Sequence, residues 1–146
     1  MQPDRAAITV VLLDYDGGDK LLRCLRSLRD QVLLPTRLLI VDNGGRGFDE
    51  TALRFALGPR YQGVASFVRL EKNRGYVGGM NQGLECALEQ AAAPWVMTLS
   101  NDTELERDFF ERLDAAIDAA GGVADTVGML CPKIRSMSDR AKLDGA

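Results

Sequence analysis

Four short apolar runs, each stopping on a polar or acidic cluster, restrict the folds open to this chain more than any other feature. They are ITVVLLDY (Ile8 to Tyr15), RLLIV (Arg37 to Val41), a weaker run from Ser66 to Leu70, and WVMTL (Trp95 to Leu99). Short runs bounded by Gly, Pro and Asp read as strands, and runs apolar on both alternating faces read as strands buried inside a parallel sheet. Helical patterns lie between them. Asp19 reads as the N-cap of KLLRCLRSLRDQ, in which Leu21, Leu22, Leu25 and Leu28 share one face and Arg23, Arg26 and Arg29 the other. Pro35 punctuates before the second strand. Asp49 to Leu57 predicts a short helix closed by Gly58-Pro59. EKNRGYVGGMNQG is a glycine-rich passage running into the helix NQGLECALEQAA, and Pro94 separates that helix from Trp95. Arg107 to Ala120 predicts a helix with Phe109, Phe110, Leu113, Ile117 and Ala120 inward and Gly121-Gly122 as its stop. Val127 to Cys131 predicts a fifth, short strand. Pro132 to Ala146 carries no clear pattern.

The order β-α-β-α-β-α-β-α-β implies right-handed crossovers and a mostly parallel sheet with helices on both faces, a Rossmann-like three-layer α/β/α fold. The 146 residues suffice for one domain with a real core, and no repeat or linker divides them. A net charge of −3 argues against a non-specific nucleic-acid or anionic-membrane binder. Three scattered cysteines and no histidine argue against a zinc site. Cys24, Cys86 and Cys131 read as small buried core residues in a reducing compartment. The segment MQPDRAA holds no apolar signal core, and no run approaches the ~18 apolar residues of a membrane span. A cytoplasmic location follows as the expectation, with membrane association left to regions outside this sequence.

Chemistry concentrates at the strand ends. Asp14/Asp16, Asp42 and Asp102 all follow apolar runs, and in a parallel sheet such ends share one edge, where ligands gather. A single such acid would ordinarily cap a helix or sit in a solvated turn; three together favour a site. A carboxylate there can hold a hard divalent cation, and the cation a diphosphate, which makes Asp102 the mark of a candidate nucleotide-sugar site. Gly75, Gly78, Gly79 and Gly83 let backbone approach a ligand, and the helix start beyond offers free N–H groups to an anion. The passage is neither a Walker A loop nor a dinucleotide fingerprint, and packing glycines explain it equally well. Arg74 can offset diphosphate charge or stand as a solvated arginine.

The stretches VVLLDYDGGDKLLRCLRSL, LLIVDNGG, NRGYVGGMNQGL, WVMTLSNDTEL and VGMLCPKI, in that order, resemble the N-terminal, nucleotide-binding half of family 2 glycosyltransferases of the GT-A fold. The likeness runs from Ile8 onward. The glycine passage and the Asn-Asp-Thr turn are most similar to the rhamnosyltransferase-like branch. The resemblance implies that Leu13 to Tyr15 line the nucleobase pocket and that Asp42 accepts a hydrogen bond from the pyrimidine ring N–H. It places Arg74 and the Gly75–Asn81 passage near the nucleotide and its diphosphate. It puts Asn101-Asp102 at the family's metal motif, with Asp102 meeting Mg²⁺ or Mn²⁺. The implied activity is inverting transfer from a dTDP-rhamnose or UDP-sugar donor to a glycan or lipid-linked acceptor, in polysaccharide synthesis, at the inner face of the membrane if the full enzyme lies near one.

The sequence departs from the family pattern in four places. The first strand ends Tyr15-Asp16 rather than Tyr-Asn. Gly44-Gly45 stands where a serine is common. Asn101 replaces the first acid of the metal motif, which lowers its charge. The fourth departure is length: the general base and acceptor site are expected beyond Ala146, so the chain reads as part of a longer enzyme. Such a part exposes apolar surface, and self-association into a homo-oligomer is an expected artefact. The alternatives are a non-catalytic nucleotide-sugar binder, a receiver- or flavodoxin-like module, and a nucleotidyltransferase-like domain, the last opposed by the acidic loop DYDGGDK.

Overall fold

The computed structural model describes residues 5–120 and 127–138. Its elements in chain order are β1 (Arg5–Asp14), α1 (Asp19–Arg29), β2 (Leu34–Asp42), α2 (Glu50–Leu57), a 3₁₀ turn (Pro59–Tyr61), β3 (Ala65–Arg69), α3 (Gly75–Gln90), β4 (Trp95–Ser100) and α4 (Phe109–Ala119). The chain divides into two compact units, Met1–Asp114 and Ala115–Ala146. The sheet and its edges belong to the first.

The sheet runs β3-β2-β1-β4, and every pairing is parallel. Aliphatic runs place β1 and β2 at its centre, buried on both faces: Val10, Val11, Leu12, Leu38 and Ile40 are all sealed from solvent. Pro35 lies inside β2 rather than ahead of it. It is tolerated because β3 pairs with β2 only from Leu38 onward, and the β1–β2 register is irregular beside it. Leu21, Cys24, Leu25 and Leu28 form the buried stripe of α1, while Leu22 is only half-buried. Asp19 does not cap α1. Gly18 does, at φ 51° and without a side-chain bond, so Asp19 falls in the first turn, where its charge suits the helix dipole. Asp49 does cap α2, accepting the Ala52 N–H at 3.1 Å.

The glycine passage differs most from expectation. It does not lead into a helix; from Gly75 onward it is helix. Poor helix propensity is overridden because two of its glycines touch the sheet. A Cβ on Gly79 would meet Leu13 Cδ1 at 2.8 Å, and one on Gly83 would meet Val11 Cγ1 at 2.5 Å and Val41 Cγ2 at 2.9 Å. α3 therefore lies closer to β1 and β2 than a helix with side chains there could. Val11, Leu13, Leu39, Val41, Leu70, Met80 and Ala87 make the core on this side.

β1-α1-β2 and β2-α2-β3 step outward one way, and β3-α3-β4 returns past them to the other side of β1. Right-handed crossovers place α3 on the face opposite α1 and α2, giving the three layers. The reversal makes a topological switch point between β1 and β4. β4 is an edge strand among the described residues. Of its six positions only Leu99 is buried, so it is not the deeply buried strand that its apolar run suggests.

α4 is shorter than the predicted Arg107–Ala120; Phe110 and Ile117 are its buried positions, and Gly121-Gly122 lie outside the described residues. In the second unit Val127 to Cys131 form no strand. Met129 is exposed, Gly128 adds no packing surface and Pro132 removes a donor, so among the described residues the run has neither a buried face nor a partner strand. Cys131 is exposed, contrary to its reading as a core residue, and Cys86 is half-buried. Only Cys24 fits that reading fully: its thiol is pushed up to about 12, by burial first and then by the negative charge of Asp102, Asp14 and Glu104.

Candidate functional site

The carboxyl ends of β1, β2 and β4 bring the acids together. Asp14 and Asp42 face each other in register, and Leu13 pairs with Ser100, so Asn101 emerges beside Asp14 at the switch point. Asp14 is buried. Its Oδ1 accepts the Asn101 side-chain N–H at 2.6 Å and the Gly17 N–H at 3.2 Å. Burial pushes its carboxyl above the usual range; the bonds from Asn101 and Gly17 oppose this, and the charges of Asp42 and Asp16 add to it. A raised carboxyl binds more protons folded than unfolded, so its contribution falls as pH rises above 3.8 and is lost once the folded group has ionised. Urea unfolding of Asp14→Asn against wild type across pH 3.5–7 is expected to show the variant gaining relative stability with rising pH and then levelling off.

Asp42 is 1% exposed and built into its loop. Its Oδ1 accepts the Gly45 N–H at 2.8 Å. Its Oδ2 sits 3.2 Å from Arg69 Nε without hydrogen-bond alignment, which leaves that oxygen able to accept a further bond. Arg69 is itself held by Gly45 O at 3.3 Å and by the Phe48 ring, 5.7 Å away. Gly44, Gly45, Arg69, Leu70 and Glu71 line an adjoining pocket of about 220 Å³.

Asn43, which had no assigned role in the sequence, and Asp16, one of the strand-end acids, hold the surrounding loops. Asn43, 2% exposed, donates to Asn73 Oδ1 at 3.1 Å and Gly75 O at 2.9 Å, and accepts the Arg74 N–H at 3.0 Å. It ties the end of β2 to the start of α3. Asp16, at φ 49°, accepts the Arg46 and Gly47 N–H groups at 2.8 and 3.3 Å, and so ties the β1 loop to the β2 loop. Asn43 was visible as part of a polar strand end. Arg69 had no signal beyond being a lone basic residue at the end of a weak strand.

Gly44 explains why serine is missing here. Its φ is +78°, and a Cβ would lie 2.5 Å from the Lys72 carbonyl carbon. Gly44→Ser is expected to cost about 1–3 kcal/mol in chemical denaturation.

The predicted site residues do not all converge. Asp42, Asn101 and Asp102 lie at the edge. Tyr15 is half-exposed beside it. Leu13 is buried against α3, so its side chain belongs to the core rather than to a pocket wall. Arg74 caps α3 and donates to Gln82 Oε1 at 3.1 Å, with its side chain exposed. Gly75 begins α3 at φ +70°. Asn81 is exposed on α3, about 200° around the helix from the sheet-facing Gly79, and so points away from the acids.

Among the described residues no three His, Cys, Asp or Glu side chains converge to hold an ion alone. Asp102 is exposed and makes no hydrogen bond or ion pair with another described residue. One unengaged carboxylate fits a cation held mainly by phosphate oxygens and water, the usual mode for Mg²⁺.

The model of the family "Glycosyl transferase family 2" matches residues 9–139. The chain belongs to this family. The fold agrees: TarS of S. aureus superposes with a TM-score of 0.59 at 20% identity, over 91% of this chain and 26% of that one. The mannosyltransferase PcManGT from Pyrobaculum calidifontis, solved with GDP-Man and Mn²⁺, gives 0.67 at 20%, over 89% and 36%. TarS 1-349 with UDP-GlcNAc gives 0.58 at 18%, over 91% and 41%. This family 2 chain thus spans less than half the length of these solved transferases. No curated protein matches it. Among the described residues no helix is long and apolar enough to cross a membrane.

Proposed function

We propose that this chain is the donor-binding half of an inverting glycosyltransferase and that a nucleotide sugar binds across the ends of β1, β2 and β4. The observation that carries this reading is the meeting of Asp14, Asp42 and Asn101-Asp102 at the switch point of a family 2 fold. Solved proteins of the same fold support it, since those structures contain UDP, UDP-GlcNAc or GDP-Man.

The base sits by Tyr15 and the Gly44–Gly45 turn, with its ring N–H on Asp42 Oδ2, the oxygen that still has room to accept. Arg74 turns its guanidinium from Gln82 to the diphosphate. Asp102 would hold Mg²⁺ or Mn²⁺, which when bound would supply electrostatic stabilisation of the diphosphate leaving group. Asp14 and Asp16 keep the loops around the base in place. A base outside these residues takes the proton of the acceptor hydroxyl, typically worth about 10²–10⁴ in rate. A pyrimidine donor, dTDP-rhamnose or a UDP-sugar, suits the single acceptor oxygen of Asp42. A glycan or lipid-linked acceptor, used at the cytoplasmic face of a membrane, completes the proposal.

Calorimetric titration with UDP, dTDP and GDP, with and without Mn²⁺, tests it. Metal-dependent binding of UDP or dTDP in preference to GDP is expected. Equal and metal-independent affinities would remove the reading.

A further inference from the structure

A hollow of about 580 Å³ lies at the amino end of β2, away from the strand-end acids, lined by Arg29, Asp30, Gln31, Val32, Arg60 and Arg107. The nine residues of β2, at ~3.3 Å each, separate the two ends. The three arginines come from three separate stretches: the last turn of α1, the 3₁₀ turn and the loop ahead of α4. Bonds to backbone hold these stretches together. Gln31, 1% exposed, donates to Ser27 O at 2.9 Å and to Glu106 O at 2.8 Å, and the Val32 N–H donates to Arg107 O at 3.0 Å. Arg60 is pinned by its guanidinium, with Nη1 on Gln31 O at 2.7 Å and Nη2 on Val32 O at 3.0 Å. Its other N–H groups remain available.

The charge around the hollow is unbalanced. Asp30 pairs with Arg29 at 2.9 Å, and that bond first, then the charges of Arg29 and Arg107, hold its carboxyl below the usual range. Arg60 and Arg107 form no ion pair with another described residue. The carboxyl end of α1, worth roughly half a negative charge, offsets only part of that excess. The excess is local, since the chain as a whole carries −3.

We propose that this hollow is an anion site, separate from the candidate donor site, and that its ligand is a phosphate monoester. Such a group carries about −1.5 to −2 charge at neutral pH, which matches Arg60 and Arg107 together. Guanidinium forks suit its oxygens. The volume lies within the ~300–1,000 Å³ of small-molecule sites, so the group that carries the phosphate enters as well. Val32, half-exposed on the wall, offers that group an apolar surface. The carrier is a small soluble molecule or an anionic lipid, and the recognised chemistry is the same in both. None of these residues takes part in the donor-site reading.

Two measurements on the whole chain test the site: ¹H–¹⁵N spectra titrated with glycerol 3-phosphate, and sedimentation with vesicles of phosphatidic acid against vesicles of phosphatidylcholine. Saturable shifts are expected at the Arg60 Nε–H and at the Val32 and Arg107 amides. Arg107→Gln is the decisive variant, because the Arg107 side chain is exposed and bonded to no other described residue. It is expected to weaken binding about tenfold or more, the loss of one charged hydrogen bond, with the urea midpoint unchanged. Arg107→Lys keeps the charge and recovers most of the affinity. Arg54→Gln removes the same charge on α2, where Arg54 pairs with Glu50, and is expected to bind as wild type does. Saturable binding of glycerol 3-phosphate alone assigns the soluble carrier. Sedimentation with phosphatidic acid only, lost in Arg107→Gln, assigns the lipid. A chain that does neither would overturn the proposal, as would Arg107→Gln binding like wild type. Shifts confined to the Asp42–Gly45 loop, or spread over the exposed arginines without saturation, would overturn it too.

Discussion

Gly83→Leu is expected to cost at least about 3 kcal/mol, the upper part of the overpacking range, and to leave little folded protein at physiological temperature. The first added carbon alone would lie 2.5 Å from Val11 and 2.9 Å from Val41, side chains of the two central strands. Both are sealed from solvent, so neither can swing aside into water. Relief requires α3 to lift from the sheet, which pulls Met80 and Ala87 out of the core. It also moves the start of α3 away from Asn43. The comparison is Gly78→Ala, on the same helix. There the new carbon meets only Arg74 Cβ, at 2.9 Å, a contact within the first turn. The gain in helix propensity, up to about 1 kcal/mol, offsets much of that crowding. Urea denaturation of the two variants is expected to move the midpoint far for Gly83→Leu and little for Gly78→Ala. Equal effects would mean that the glycines are there for the loop rather than for helix–sheet contact.

Asp102→Ala is expected to reduce Mn²⁺-dependent affinity for UDP or dTDP by about 10- to 150-fold, the value of a hydrogen bond or ligand contact from a charged group. Stability should stay within about 0.5 kcal/mol of wild type, because Asp102 is exposed and bonded to no other described side chain. That separation of binding from stability is the diagnostic result. Asp42→Ala serves as the contrast. It leaves the Gly45 N–H without its acceptor and Arg69 without its carboxylate partner, so it should lower both affinity and stability. Parallel calorimetry and thermal unfolding would distinguish the two patterns. Loss of stability in Asp102→Ala would instead assign that carboxylate to the fold.

Much of the sheet was legible because a strand buried on both faces has almost no freedom in composition. ITVVLLD and RLLIVD can scarcely be anything else, and their acids had to fall on one edge once the pairing was parallel. Helix beginnings were less legible. Gly75 to Gly83 have low helix propensity, and only the nearness of Val11, Leu13 and Val41, distant in sequence, makes them helical. Val127 to Cys131 shows the reverse case, in which an apolar run lacks, among the described residues, the neighbours that would make it a strand. At the site, the residue types were readable at the strand ends and their bonds were not. Nothing in the sequence pairs Asp14 with Asn101, Asp16 with the Arg46 backbone, or Asp42 with Arg69. Leu13 and Asn81 were placed with the ligand by position in a motif. A strand alternates its faces and a helix turns 100° per residue, so neighbours of a site residue need not face the site.

The position of β1 has a consequence for how the chain is made. β1 emerges first, pairs with β2 soon afterwards, and does not receive β4 until Trp95–Ser100 have followed. At synthesis rates of about 5–20 residues per second, one edge of the most apolar strand stays open for roughly four to seventeen seconds on the ribosome. During that interval the nascent sheet is a template for any extended segment nearby. Slowing translation within α3 should lengthen that exposure and increase chaperone association, whereas slowing it after β4 should not.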